Sequence, residues 1–144
     1  MRKIIIIIIS VTVLLVSILS ITFFNSEMID RIKLEKTCKE IATYINNNDS
    51  AFFSCCKYFL TNGAPGDNVD IKNSNLSQYN TDVLKTYCNT LIIYEDKLVL
   101  KCDSPVYGYD ISIVYSCKSI ECPKEERFYY VNDNSYICWF RFDH

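Results

Sequence analysis

The sequence is poor in the residues on which most enzyme sites depend. Its 144 residues include three glycines, three prolines and a single histidine, His144. Three scattered glycines cannot form the Gly-rich loops that hold phosphates or dinucleotides, and no G-x-S-x-G, H-E-x-x-H or C-x-x-C motif occurs. Nucleophilic hydrolases need a histidine held beside the nucleophile, and His144 stands at a position where we expect fraying. We therefore predict a non-enzymatic protein without a cofactor.

Clustered positive charge is also missing. Arg2 and Lys3 account for two of the 15 basic residues, so residues 25–144 carry 13 basic and 17 acidic side chains, a net charge of −4. Proteins that bind nucleic acid present clusters of Lys and Arg, which this domain lacks. The charge distribution argues against a nucleic-acid partner, and no motif indicates a small-molecule substrate.

The chain does have a long apolar run, from Ile4 to Phe24. It covers 21 residues without a charge, a glycine or a proline. A helix of this length measures about 31 Å, close to the hydrocarbon thickness of a bilayer. A cleaved signal peptide usually has a shorter apolar region and a clear small-residue cleavage site, for which Ser20 is a weak candidate. We predict an uncleaved transmembrane anchor at residues 1–24, with its N-terminus inside because two basic residues precede it. A cleaved signal is the alternative.

Eight cysteines follow this run. They are Cys38, Cys55, Cys56, Cys88, Cys102, Cys117, Cys122 and Cys138. An even number in a small domain beyond a membrane-targeting segment predicts disulfide bonds. Structural zinc sites bring their ligands in C-x2–4-C pairs, which are scarce here, so no metal site is expected. Adjacent cysteines rarely bridge each other, and Cys55 and Cys56 should have different partners. Spacing alone does not choose among the pairings, which number on the order of a hundred.

The first half beyond the anchor predicts helices. Residues 25–49 show apolar side chains at helical spacing, with Ser26 as N-cap, which indicates a juxtamembrane amphipathic helix. This helix can continue from the anchor or be separated from it by a break at Asn25. Its apolar stripe can form a coiled coil or lie on the domain; we favour the second because the stripe is short. A second helix is expected at residues 50–62, capped by Ser50 and followed by Gly63. Residues 63–80 have the composition of a loop. A short helix at 82–88, capped by Asn80 or Thr81, should come next.

The second half predicts strands. Residues 90–94 and 97–103 should form one hairpin, and residues 128–131 and 136–142 another. Between them, residues 110–118 alternate, and one face is expected to carry Ile111, Ile113, Tyr115 and Cys117. Helices followed by strands predict an α+β fold. We expect a small disulfide-rich ectodomain at residues 50–144, with helices packed on a mainly antiparallel sheet.

Aromatic residues crowd the last hairpin. Strand alternation places alternate side chains on opposite faces. One set is Tyr136, Cys138, Phe140 and Phe142, and the other is Ile137, Trp139 and Arg141. Two interpretations stay open. In the first, Trp139 is a core residue. In the second, Trp139, Tyr129 and Arg141 form a partner-binding surface, since Trp, Tyr and Arg dominate binding hot spots.

The whole layout resembles a viral protein family. A basic tip, an N-terminal anchor, a cysteine-bearing ectodomain of 120 residues and a cysteine-bracketed stretch from Cys88 to Cys102 resemble the small anchored subunits of the poxvirus entry–fusion complex, or an equivalent envelope protein of another large DNA virus. The resemblance implies a subunit that works with other membrane-anchored proteins in virus entry and membrane fusion. It also implies a Cys88–Cys102 bridge and unused glycosylation sequons at Asn48 and Asn75. The alternative is a secreted or tethered module that binds a host or extracellular protein ligand.

Overall fold

The computed structural model describes residues 2–73, 82–125 and 127–141, with side chains from Ile9 onward. The chain is an α+β protein with a long apolar N-terminal helix and a six-stranded antiparallel sheet. It divides into two compact units, residues 1–33 and residues 34–144. The division falls within the stretch expected to form the juxtamembrane helix.

Helix α1 extends from Arg2 to Asn47, so the apolar run and the amphipathic stretch form one element. No glycine or proline occurs before Gly63, and nothing in the sequence breaks the helix at Asn25. Within α1, an 18-residue window has a mean hydropathy of 1.9, and none of it is buried. The helix is compatible with membrane anchoring, and a signal sequence near the N-terminus would meet the same criteria of length and hydropathy.

Three polar side chains of the apolar run bond to the helix itself. The hydroxyls of Ser17 and Ser20 each donate to a carbonyl oxygen four residues earlier, at 2.9 Å. Thr22 donates to the carbonyl oxygen of Leu19, also at 2.9 Å. A hydroxyl bonded in this way presents no unpaired donor to lipid. These residues therefore do not prevent the run from lying in a bilayer.

In the second unit, the remainder of α1 packs against the domain. Its buried side chains are Leu34, Cys38, Ile41, Ala42 and Ile45. The second half of the apolar stripe therefore lies on the domain, whereas Met28, Ile29 and Ile32 in its first half are exposed. Helix α2 covers Asp49–Asn62 and begins one residue before the expected cap, Ser50. Asn48 occupies the N-cap without capping the helix through its side chain, which instead donates to the carbonyl oxygen of Tyr44 at 2.9 Å.

The six strands form one antiparallel sheet of order β1-β2-β3-β4-β6-β5. They are β1 (Asn68–Asp70), β2 (Cys88–Ile93), β3 (Leu98–Cys102), β4 (Tyr109–Tyr115), β5 (Phe128–Asn132) and β6 (Ser135–Arg141). A one-turn helix, α3 (Asp82–Lys85), precedes β2 and is shorter than expected. Strand β1 lies where the sequence predicts only loop. The expected caps Asn80 and Thr81, the sequon at Asn75, Phe142 and His144 lie outside the described residues.

Gly63 follows the end of α2 at a position that has no room for a side chain. Its φ of −89° is open to any residue, so it is not the left-handed residue that often follows a helix. Its N–H donates to the carbonyl oxygen of Phe59 at 2.9 Å. A Cβ at this position would overlap Cδ1 of Ile93. The side chain of a β2 residue therefore occupies the place that a larger residue would need.

We expect Gly63→Ala to lower the free energy of unfolding by about 1–3 kcal/mol, because the added methyl overpacks the contact with Ile93. Denaturant unfolding of the purified chain in detergent measures this. Ile93→Val provides the control, since it removes the nearer of the two atoms that the new methyl would meet; the carbonyl oxygen of Phe59, at 2.9 Å, remains. Alone it should cost about 0.5–1.5 kcal/mol, but in the Gly63→Ala background it should restore part of the lost stability. Additive losses in the double variant would contradict this explanation.

Candidate partner-binding surface

The strand register assigns every sheet residue to one of two faces. On one face, a row of paired residues runs across the strands from Val69 through Leu91, Leu100, Ile113 and Ile137 to Tyr129. These side chains and the buried residues of α1 and α2 form one hydrophobic core. We call this the core face and the opposite side the outer face.

Trp139 lies on the core face and is 8% exposed. Its register partner on β4 is Ile111, which is fully buried. Tyr129 is half-buried and packs against the same core, whereas Arg141 is exposed. The three residues of the expected partner surface are therefore not brought together at the surface. The first interpretation is correct: Trp139 is a core residue.

The outer face carries the other aromatic set of the last hairpin. We define the aromatic patch as Phe128, Tyr130, Tyr136 and Phe140. The Phe128 ring meets Tyr136 edge-on at 5.6 Å between centroids and Phe140 at 6.0 Å. Phe128 pairs with Cys138 across the strands, so its ring contacts both diagonal neighbours of that residue. Phe140 is 42% exposed and Tyr130 is 56% exposed. The patch therefore offers aromatic surface to a partner.

Polar side chains surround the aromatic patch. The Arg127 guanidinium lies 5.7 Å from the ring centroid of Phe140, and its Nε donates to Glu125 at 3.2 Å. The Tyr130 hydroxyl donates to Asp133 at 2.9 Å, and this hydrogen bond raises the pKa of Tyr130. Arginine, tyrosine and phenylalanine are enriched at interfaces, and an apolar centre with a polar rim is the usual anatomy of one.

Solvent exposure alone does not single out this region, since Tyr107 is 95% exposed. Tyr107 stands alone in the turn between β3 and β4. A single exposed apolar side chain is ordinary, whereas contiguous aromatic surface indicates an interaction site. The alternation rule could have found the outer set from the sequence, but it could not say which set faces the helices.

The eight cysteines all lie in the described part of the chain, and none forms an S–S bond in this structure. Disulfide richness therefore stays a prediction. Cys88 and Cys102 face each other across β2 and β3 with 3.7 Å between their Sγ atoms. Both are buried. Cys117, expected to share the face of Tyr115 on β4, is exposed just beyond the end of that strand.

Burial suppresses thiol ionisation through most of the domain. It raises the pKa of Cys38 to about 12, with smaller contributions from Cys102 and Cys138. Burial also raises the pKa of Cys55 and of Cys138 to about 11 each. The pKa of Cys102 is raised first by its hydrogen bond with Cys88 and then by burial. Since the thiolate is the reactive form, burial in the folded domain slows the reactions of these thiols at neutral pH.

No group of three or more His, Cys, Asp or Glu residues that could hold a metal ion occurs among the described residues. Comparisons with protein-family models, with curated proteins and with solved structures gave no match to this chain.

Proposed function

We propose that this chain is a non-enzymatic, membrane-tethered binding subunit. The observation that carries the proposal is the combination of an exposed apolar helix and a separate domain with a contiguous aromatic patch. The helix would hold the domain at a membrane, and the patch would contact another protein anchored in the same membrane. Tethering both partners raises their effective concentration, so a modest patch suffices for assembly.

The sequence resemblance gives this proposal its biological setting. We propose that the membrane is a virion envelope and that the partners are other anchored subunits of a complex for virus entry and membrane fusion. The chain would cross the envelope once, with its N-terminus inside. Apart from the apolar run, the sequence offers no obvious fusion peptide. Its role would therefore be assembly of the complex rather than fusion on its own.

Fractionation of purified particles of the encoding virus tests this proposal. We expect the chain in the detergent-extracted envelope fraction at its full length, together with other membrane-anchored proteins. Release of a shortened chain into the medium, cut near Ser20, would overturn the proposal and favour a secreted module that binds a host or extracellular ligand.

The aromatic patch makes a separate prediction. Phe140→Ala should reduce recovery of the anchored partners by about tenfold or more, because truncating a central aromatic at an interface typically costs 1–3 kcal/mol. The side chain is partly exposed on the outer face, so the melting temperature should change little. Quantitative immunoprecipitation from detergent-solubilised envelopes measures recovery. Tyr107→Ala is the matched control, since it removes an exposed aromatic outside the patch. Equal recovery with both variants would exclude the patch as the contact surface.

A further inference from the structure

Cys56 lies on the side of α2 that meets the end of strand β4. Phe53, three residues earlier and so on the same side of the helix, stacks on Tyr115 with ring centroids 5.4 Å apart and an interplanar angle of 27°. Cys56 itself has no solvent exposure. Since Tyr115 is the last residue of β4, the helix and the strand end are in contact at this point.

Cys117 reaches the same tyrosine from the other direction. Its Sγ lies 3.7 Å from the hydroxyl oxygen of Tyr115. The Tyr115 side chain therefore contacts α2 through its ring and Cys117 through its hydroxyl. Burial raises the pKa of Tyr115, and hydrogen bonding to Cys117 and the charges of Cys117 and Cys56 raise it further. The thiols of Cys117 and Cys56 therefore both contribute to the raised pKa of the Tyr115 hydroxyl.

Cys55 and Cys56 differ in their surroundings, although they are adjacent. Burial raises the pKa of Cys56 well above its ordinary value, and Cys55 and Cys117 add to this rise. For Cys55, burial is the cause, and no other thiol contributes. Cys55 lines a cleft at the junction of α1 and α2 together with Asn46 and Tyr58. Of the two, Cys56 is the cysteine on the side of α2 that carries Phe53 and contacts Tyr115, the tyrosine that Cys117 also contacts.

We propose that Cys56 and Cys117 form a disulfide bond that ties α2 to the end of β4. This inference does not depend on the proposed function. The bond would settle one of the cysteine pairings that sequence spacing leaves open. It would also mean that the adjacent residues Cys55 and Cys56 do not share a partner. The bond closes a long loop between residues distant in sequence, the kind of loop whose closure restricts the unfolded chain most.

The chemistry is a pair of thiol–disulfide exchanges with an oxidising protein disulfide. The exposed Cys117 loses its proton to solvent, and its thiolate attacks one sulfur of the oxidant; a mixed disulfide forms and one oxidant thiolate leaves. Cys56 then loses its proton, attacks Sγ of Cys117 and expels the second oxidant thiolate. Both departing thiolates take up protons. The two cysteines are oxidised by two electrons, and the oxidant disulfide is reduced to a dithiol.

Peptide mapping of the full-length chain tests the pairing directly. The chain is purified in detergent, oxidised in a glutathione buffer, and treated with N-ethylmaleimide to mark free thiols. Trypsin and then chymotrypsin separate Cys102 from Cys117 at Tyr107 and Tyr109. We expect the Cys117 peptide to be linked to the peptide that holds Cys55 and Cys56. Cys117 carrying the maleimide, or linked to Cys122, would overturn the proposal.

Two variants identify the partner within the adjacent pair. Cys55→Ser should keep the link to Cys117, whereas Cys56→Ser should abolish it and leave Cys117 open to maleimide. The reverse pattern would overturn the assignment to Cys56.

A melting experiment provides a second readout. Cys117→Ser changes an exposed side chain, so in reductant its melting temperature should match that of the parent. After oxidation it should melt about 10 °C or more below the parent, because it lacks a bridge across a long loop. Equal melting temperatures after oxidation would contradict a stabilising bond.

Discussion

Replacing Leu14 and Leu15 by arginine will release the chain from membranes. Both side chains lie near the middle of the apolar run and are 62% and 55% exposed, so neither is supported by packing within the protein. An arginine at the centre of a membrane helix costs about 2.5–3.5 kcal/mol on the insertion scale, and each leucine lost was itself favourable by about 0.5 kcal/mol. The double variant should lose about 6–8 kcal/mol of insertion free energy.

The measurement is the fraction of full-length chain that stays with the membrane pellet after an alkaline carbonate wash. The parent should remain in the pellet, and the double arginine variant should move to the supernatant. Leu14→Val with Leu15→Val is the matched control and should stay in the pellet, because the run keeps its apolar character. Retention of the arginine variant would contradict a membrane-spanning role for this helix.

The local parts of the fold follow from the sequence. Both expected hairpins are present, because turn residues and alternation are properties of neighbouring residues. The first hairpin closes with a hydrogen bond from the N–H of Tyr94 to the carbonyl oxygen of Lys97 at 2.9 Å. Ile111, Ile113 and Tyr115 share one side of β4 and are buried, and Ser112 and Val114 on the opposite side are buried as well. The α+β class and the antiparallel sheet follow from these elements.

Long-range pairings could not be predicted in this way. Strand β1 has three residues in a stretch with loop composition, and its partner β2 lies some twenty residues later, with Val69 opposite Leu91. In the sheet, strand β6 lies between β5 and β4. It therefore pairs with β4, from which a long connection separates it in the sequence. Such pairings depend on contacts distant in sequence, which no local pattern contains.

Part of the candidate surface can be predicted from the sequence. Alternation correctly divided the aromatic residues of β6 into two sets, one with Trp139 and one with Phe140. It could not decide which set faces inward, because both sets are rich in large side chains. The decision comes from the helices, which pack on the side of the sheet that carries Ile137 and Ile113. Trp139 lies two residues after Ile137, so it is on the same face of β6 and is buried with it.

Replacing Cys88 and Cys102 together by alanine will lower the stability of the oxidised domain by about 2–4 kcal/mol. The resemblance suggested this bridge, and the geometry now supports it. A β-bulge lies between Cys88 and Thr90 on β2. Without it, the ladder would place Asn89 opposite Cys102 and turn Cys88 to the outer face. With it, both thiols lie on the core face, 3.7 Å apart, within a short motion of a bond.

The expected size follows from the loop that the bridge would close. A loop of about 15 residues restricts the unfolded chain by roughly 3 kcal/mol, and the strand pairing already holds the two residues together in the folded state. Alanine is preferred to serine here, because a serine hydroxyl at either buried position would need a hydrogen-bond partner. The double variant also avoids leaving one thiol free to pair with Cys38, which is buried in the same hydrophobic core.

Denaturant unfolding in oxidising and in reducing buffer separates the bridge from the packing of the two sulfurs. In reductant, parent and variant should differ only by the loss of two small buried groups. In oxidant, the difference should grow by the contribution of the bridge, since any other disulfide is common to both proteins and cancels. Ile113→Val is the control: it removes a buried methyl group outside the pair and takes part in no disulfide, so it should cost the same in both buffers. If the gap between parent and double variant were equal in the two buffers, the thiols would contribute by packing alone and the Cys88–Cys102 bridge would be wrong.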